Sequence, residues 1–181
     1  MSADDIGDRF DRLDAFIARG ALVRHEWGDG QERACLLLAI APEVGAGNVA
    51  ACPAAVLPRW LAQLAPSIDD NGTAVAWPAM VRRFSAVVRR GAERRDPAVW
   101  RRVLARFMIA TMGEAGVRDT SGSCERVAAL WRRVIDGDEP TATEWAASGA
   151  AAWAAEARAE VGATWDRLTT ALLDAIELEA A

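Results

Sequence analysis

The sequence predicts a single all-α domain, a bundle of about six to seven helices that ends in a long C-terminal helix. Three observations lead to this fold class. Apolar residues recur at helical spacing in most segments, prolines and glycines stand where helices would begin and end, and 181 residues with 52% hydrophobic content suffice for one core. The domain is expected to span residues 1–181, with the glycine-bearing loop 113–122 as the alternative boundary between two helical halves.

The first 42 residues carry a clear helical pattern followed by a mixed one. A first helix has an apolar face whose members are three or four residues apart, namely Ile6, Phe10, Leu13 and Ile17. Gly20 is expected to end this helix. An extended pattern with a glycine turn allows one short hairpin near residues 22–34. Residues 32–41 are apolar on nearly all sides, which predicts a central helix that ends at Pro42.

Prolines are expected to open the next helices, because a proline suits the first helical turn, where its missing N–H is not needed. The third helix is expected to start near Pro53 or Pro58 and to close at Pro66. Pro78 opens a fourth helix, ended by Gly91, with the apolar stripe Met80, Val81, Phe84, Val87 and Val88. In the same way, Asp96-Pro97 predicts the N-cap and first turn of a fifth helix.

The C-terminal third predicts two more helices. The first of them ends at Gly137 and carries the stripe Val127, Leu130, Trp131, Val134 and Ile135. Thr141 and Glu144 then have the spacing of a capping box, which opens the last helix. That helix is expected to run to about residue 178, with weak points at Gly149 and Gly162.

Compartment and redox state follow from the apolar runs and the cysteines. The N-terminus lacks the basic start and apolar stretch of a secretory signal, and the longest apolar run, residues 34–42, is far shorter than the roughly 20 residues of a membrane-spanning helix. Cys35, Cys52 and Cys124 are an odd number without a close pair, which favours reduced thiols. The sequence therefore predicts a cytoplasmic protein without a membrane span.

Charge is unevenly distributed, although the net charge is only −5. Nine arginines stand against two acidic residues between positions 82 and 106, whereas residues 136–181 carry ten acidic residues and two arginines. The arginine pairs 82–83 and 89–90 are two helical turns apart and so share one side of their helix. The sequence predicts an arginine face that binds a protein partner and comprises Arg82, Arg83, Arg89, Arg90, Arg101, Arg102 and Arg106.

Two alternatives concern the same arginines. They are also consistent with pairing to the acidic C-terminal helix, in the same chain or in a second copy, which makes a homo-oligomer an alternative. Nucleic acid is a further candidate partner for residues 82–106, although nucleic-acid-binding domains tend to be basic overall and this chain has a pI near 5.0.

A cysteine-dependent enzyme is the alternative from another class. His25 would activate Cys35 or Cys52 as a nucleophile if their side chains came within hydrogen-bond reach. The three cysteines and His25 would suffice for the four ligands of a zinc site, but no closely spaced cysteine pair supports such a site. No nucleotide-binding motif and no Glu-x-x-His pattern occurs. The favoured prediction is therefore a non-enzymatic protein with no catalytic residues, no metal and no cofactor.

Several segments together resemble uncharacterised proteins of bacteriophages, prophages and their hosts. They are the run from Ala34 to Glu43 (ACLLLAIAPE), the run from Cys52 to Ala62 (CPAAVLPRWLA), Ile68-Asp69-Asp70, and Trp77-Pro78. An alanine-rich C-terminal helix that ends in an apolar stripe extends the similarity over much of the chain. The resemblance implies no activity. It implies a mobile-element setting, in which a small accessory protein binds a host or phage component.

Overall fold

The computed structural model describes residues 2–45, 47–94, 96–148 and 162–181. Its helices confirm the all-α prediction, and they form two compact units, residues 1–95 with Ala180 and residues 96–179 with Ala181. The extent of the domain stays a prediction. The loop predicted at residues 113–122 lies inside the second unit, and its first four residues, 113–116, are helical and not part of a loop. Among the described helices, none combines the length and the apolar character needed to cross a membrane.

The described residues of the first unit form four α-helices and two short 3₁₀ turns. These are α1 (Ala3–Ala18), α2 (Leu36–Ile40), the 3₁₀ turns Pro42–Val44 and Val49–Ala51, α3 (Arg59–Asn71) and α4 (Trp77–Arg94). Helix α1 packs against α2 and α4, and α2 packs against α3. The core consists of fully buried apolar side chains from all four helices, among them Ile6, Phe10, Leu13, Leu36, Ile40, Leu61, Ile68 and Phe84. Burial of these side chains supplies the main stabilising term of the unit.

The second unit contains α5 (Pro97–Gly116), α6 (Ser123–Ile135), a helical segment at residues 142–148, and the C-terminal helix α7 (Ala163–Ala180). Helix α5 packs along α6 around buried Met112, Cys124, Val127 and Ala128, with Trp131 and Trp145 against this cluster. On α7 the large buried apolar side chains are Leu168, Leu172, Leu173 and Ile176. Of the stripe predicted for α6, Val127, Leu130 and Val134 are buried, and Trp131 and Ile135 are half-buried.

The helix caps that the sequence predicts at Asp96 and Thr141 are confirmed. Asp96 N-caps α5 and accepts from the Ala98 backbone N–H at 2.8 Å. Thr141 and Glu144 form both hydrogen bonds of a capping box, with distances of 3.3 Å and 2.7 Å. Gly162 has φ +87°, and α7 begins directly after it, so the backbone does not continue helically through this glycine. Gly149, the other expected weak point, lies outside the described residues.

The expectations for residues 22–41 were partly wrong. Within the described part of this segment no strand forms, and only isolated bridges join Leu22 and Gly28 to Ala34. The central helix is shorter than expected, because Cys35 is the N-cap of α2 and the backbone before it pairs with the preceding loop. The Ala34 N–H donates to the Ala21 carbonyl at 3.2 Å, and Ala34 accepts from the Val23 N–H at 3.0 Å.

Two predicted helix ends are also wrong. Pro66 lies inside α3, which continues to Asn71, and Gly91 lies buried inside α4, which continues to Arg94. In both cases the apolar face carries on beyond the expected stop, with Ile68 after Pro66 and Ala92 after Gly91. Tertiary burial therefore outweighs the local cost of proline and glycine within a helix.

Candidate interaction surface

Arg89 of α4 is neutralised within the first unit. Its Nη2 atom lies 2.8 Å from Oδ1 of Asp11 and 2.8 Å from Oδ2 of Asp14, both on α1. Its guanidinium also lies over the Phe10 ring, 5.8 Å from the ring centroid. Asp14 is fixed further by the buried Ser85 hydroxyl, which donates to it at 2.6 Å. Arg89 thus joins α4 to α1 and does not add open positive charge.

The three predicted arginines of α5 are likewise paired inside the second unit. Arg101 forms an ion pair with Glu139 and lies 5.4 Å from the centroid of the Trp131 ring. Arg102 and Arg106 both bind Glu179 of α7, through Nε–O distances of 2.5 Å and 2.7 Å. The acidic C-terminal helix therefore neutralises part of the arginine segment, as one of the alternatives in the sequence analysis proposed.

The remaining predicted arginines are Arg82, Arg83 and Arg90 of α4. Arg82 and Arg90 are exposed, and Arg83 is half-buried. Within the part of the chain that the structure describes, Arg82 has no carboxylate partner. The seven predicted residues are divided between the two units, with four on α4 and three on α5, so each set is a surface of its own unit.

An exposed apolar turn precedes Arg82 at the start of α4. We call residues 74–79 the apolar turn, because Ala74, Val75, Pro78 and Ala79 are all exposed, and Val75 retains 93% of its accessible surface. The Thr73 hydroxyl holds this turn by accepting from the Ala76 backbone N–H at 3.2 Å. Exposed apolar side chains in one short turn beside a positive charge occur at sites where proteins bind one another.

A pocket of about 240 Å³ adjoins the apolar turn. It is lined by side chains of α1, of the loop that follows α1, and of α4, namely Ile17, Leu22, Trp77, Pro78, Val81 and Arg82. All of them belong to the first unit. The pocket is smaller than the roughly 300–1,000 Å³ of typical small-molecule sites, and its size suits a single amino-acid side chain.

A buried carboxylate positions Trp77 in the wall of this pocket. Oδ1 of Asp69 accepts from the Trp77 indole Nε1–H at 2.7 Å, and Oδ2 accepts from the Leu36 backbone N–H at 3.0 Å. Asp69 therefore joins the C-terminal end of α3 to the first residues of α2 and α4. Burial raises the pKa of Asp69 to about 6, although both hydrogen bonds act in the opposite direction.

Arg24 also stabilises the junction that Asp69 forms. It donates to the carbonyl groups of Asp69, Asp70 and Gly72 at 2.6–2.8 Å, which satisfies the C-terminal end of α3. Its guanidinium also lies 5.8 Å from the Trp77 ring centroid. Arg24 therefore acts as a helix cap and supports the pocket wall.

The sequence pattern did not reveal the role of Asp69. A signal was present, because Asp69 continues the buried stripe of α3 that Leu61, Ala65 and Ile68 define. An aspartate in register with apolar residues indicates a buried carboxylate with internal donors. The pocket itself had no comparable signal, since its wall combines three separate segments.

Cys35 and Cys52, the candidate nucleophiles of the enzyme alternative, do not have the lowered thiol pKa of a catalytic cysteine. Burial raises the pKa of both Cys35 and Cys52 to about 11, whereas catalytic cysteines have a lowered pKa. Cys35 serves as the N-cap of α2, where its sulfur accepts from the Leu38 N–H at 3.4 Å. Cys124 is buried in the α5–α6 cluster.

His25, the expected general base, is largely exposed and occupies a turn with φ +61°. Its backbone N–H donates to Asp70 at 2.6 Å, and its Nδ1 lies 3.6 Å from the same carboxylate oxygen. Among the described residues, no group of three or more histidine, cysteine, aspartate or glutamate side chains is arranged to hold a metal ion.

Comparisons with known proteins return no relative of this chain. No protein-family description, no curated protein and no solved structure matches it.

Proposed function

We propose that this chain is a non-enzymatic accessory protein of a phage or mobile element that binds a protein partner through the start of α4. The observation that carries the proposal is the exposed apolar turn, residues 74–79, next to exposed Arg82. The mobile-element setting is supported by the resemblance of residues 34–78 to phage and prophage proteins. The proposed partner surface thus consists of the apolar turn and Arg82, and Arg82 is the member of the predicted arginine face that it includes.

Apolar and positive groups contribute differently to such a surface. Exposed Val75 and Pro78 supply apolar area whose removal from water favours binding. Arg82 supplies charge, which increases the association rate and selects acidic partners more than it adds affinity. Because Arg89, Arg101, Arg102 and Arg106 already bind carboxylates of their own units, they contribute less to partner binding.

The rival functions have weaker support. Nucleic-acid binding depends on many unpaired cations, and at least four of the seven predicted arginines are paired internally. Cysteine catalysis requires a stabilised thiolate, and burial shifts the pKa of Cys35 and Cys52 in the opposite direction. Self-association through the apolar turn is a form of the same proposal, with a second copy as the partner.

The test is capture of a partner from the native host, with and without phage infection, by the tagged chain and two single variants. Val75→Asp places a charge on the apolar turn. Val117→Asp is the matched control, since Val117 is a comparably exposed valine of the second unit, with 85% of its surface accessible. We expect the parent and Val117→Asp to retain the same protein and Val75→Asp to lose it.

The captured protein is then purified, and its affinity is measured after nuclease treatment. Val75→Asp should weaken binding at least about fivefold, since truncating or charging a central apolar contact costs more than about 1 kcal/mol. Equal affinity of all three chains for the purified partner would refute the assignment of the surface. A steep loss of binding after nuclease treatment would favour the nucleic-acid alternative instead.

A further inference from the structure

We propose that the pocket beside the apolar turn binds one large apolar side chain of an acidic segment of the partner, and that Arg82 pairs with a carboxylate adjacent to that side chain. This inference rests on the proposed function and deepens it, because it names the chemistry of the bound segment. The juxtaposition that supports it is an apolar pocket with a single cation among its lining residues.

The size and lining of the pocket select the class of ligand. Its volume of about 240 Å³ is below the usual range of small-molecule sites, and its walls from Ile17, Leu22, Trp77 and Val81 are apolar. An aromatic or leucine side chain would exclude water from these four apolar side chains. A nucleotide or a sugar, by contrast, would bury polar atoms that these side chains do not satisfy.

The charge of Arg82 selects the neighbour of that side chain. Arg82 lines the pocket and is exposed, and within the described residues it lacks an acidic partner. A carboxylate next to the inserted side chain would form an ion pair with its guanidinium. A positive charge at the same position would be repelled, so basic segments are disfavoured.

The pocket wall is held in place before a ligand binds. Trp77 is hydrogen-bonded to Asp69, which also binds the first turn of α2, and Arg24 anchors the end of α3 beside it. A preformed wall reduces the ordering that binding would otherwise require. A short peptide should therefore bind measurably without the rest of the partner.

The experiment uses the full chain and two dipeptide probes that differ by one charge, acetyl-phenylalanyl-aspartyl amide and acetyl-phenylalanyl-asparaginyl amide. Binding is followed by ¹⁵N–¹H NMR through the indole N–H signal of Trp77, which a Trp77→Phe variant assigns. We expect a saturable shift, with a Kd of about 1 mM for the acidic probe and affinity roughly two- to fivefold lower for the neutral probe. The difference should diminish at high salt.

Arg82→Gln should remove the preference for the acidic probe and keep the weaker binding of the neutral one. Arg59→Gln is the matched control, because Arg59 is exposed on α3 of the same unit and does not line the pocket. Absence of a saturable shift in the parent chain, or equal affinity for both probes, would overturn the assignment. If Val75→Asp nevertheless abolished partner capture, the interaction surface would stand and only the pocket ligand would be wrong.

Discussion

The indole Nε1–H of Trp77 donates a 2.7 Å hydrogen bond to the buried carboxylate of Asp69. The other oxygen of the same carboxylate accepts from the Leu36 N–H, so one side chain links the beginnings of α2 and α4 to the end of α3. A buried ionised group is costly unless it is fully hydrogen-bonded. The same hydrogen bonds therefore stabilise the first unit and hold Trp77 in the wall of the pocket.

The pH dependence of folding should reveal this carboxylate. The pKa of Asp69 is raised to about 6 in the folded chain, whereas an unfolded aspartate titrates near 3.9. The folded state then binds more protons between these values, so the contribution of Asp69 to stability decreases as pH rises from about 4 to about 6.

The variant Asp69→Asn cannot titrate at this position, and its amide NH2, a donor, must face the N–H group of either Trp77 or Leu36, which is also a donor. Its stability deficit relative to the parent chain should therefore be largest near pH 4 and shrink by about 2–3 kcal/mol by pH 7. Urea unfolding of both chains at pH 4, 5, 6 and 7 measures the difference. A constant or growing deficit across this range would contradict the raised pKa.

The two aspartates that bind Arg89 should differ in their contribution to stability. Asp11→Ala removes one carboxylate from an exposed ion pair and should cost less than about 1 kcal/mol. Asp14→Ala also removes the acceptor of the buried Ser85 hydroxyl and should cost about 1–3 kcal/mol. Urea unfolding of the two variants is the measurement. Equal losses would show that the hydrogen bond from Ser85 adds nothing.

Two glycines of the second unit should respond to alanine with opposite signs. An added Cβ meets nothing within 4 Å at either Gly113 or Gly137. Gly113 lies inside α5, where alanine is favoured by about 0.5–1 kcal/mol. Gly137 has φ +82°, where alanine costs about 1–2 kcal/mol. Thermal unfolding of Gly113→Ala and Gly137→Ala should show a raised and a lowered Tm, respectively. A shift of the same sign in both would mean that backbone conformation does not decide the effect.

Thiol chemistry separates the interaction protein from the enzyme alternative. With a pKa of about 11, Cys35 and Cys52 hold roughly a hundredfold less thiolate at neutral pH than a free cysteine. Labelling of the native chain by an aromatic disulfide at pH 7 should therefore be slow and should accelerate in urea. Rapid stoichiometric labelling of Cys35 or Cys52 in the native state would instead indicate an activated nucleophile.

Part of the candidate site was accessible from the sequence. Arg82 was predicted as a surface residue of α4, because the spacing of the α4 arginines places them opposite the apolar stripe. The internal pairing of Arg89 could not be predicted, since Asp11 and Asp14 are more than 70 residues away in sequence. The pocket could not be predicted from the sequence either. The apolar spacing assigns Ile17 to the core stripe of α1, whereas the structure buries Phe16 and leaves Ile17 half-buried.

By itself, the sequence determined the all-α class, most helix positions and the caps at Asp96 and Thr141, because apolar periodicity and capping act over three or four residues. Tertiary structure alone decided that α3 passes through Pro66, that α2 is only five residues long, and that Asp69 is a buried junction. It also decided which arginines stay open to solvent. These outcomes depend on burial and charge pairing between distant segments, which no local pattern encodes.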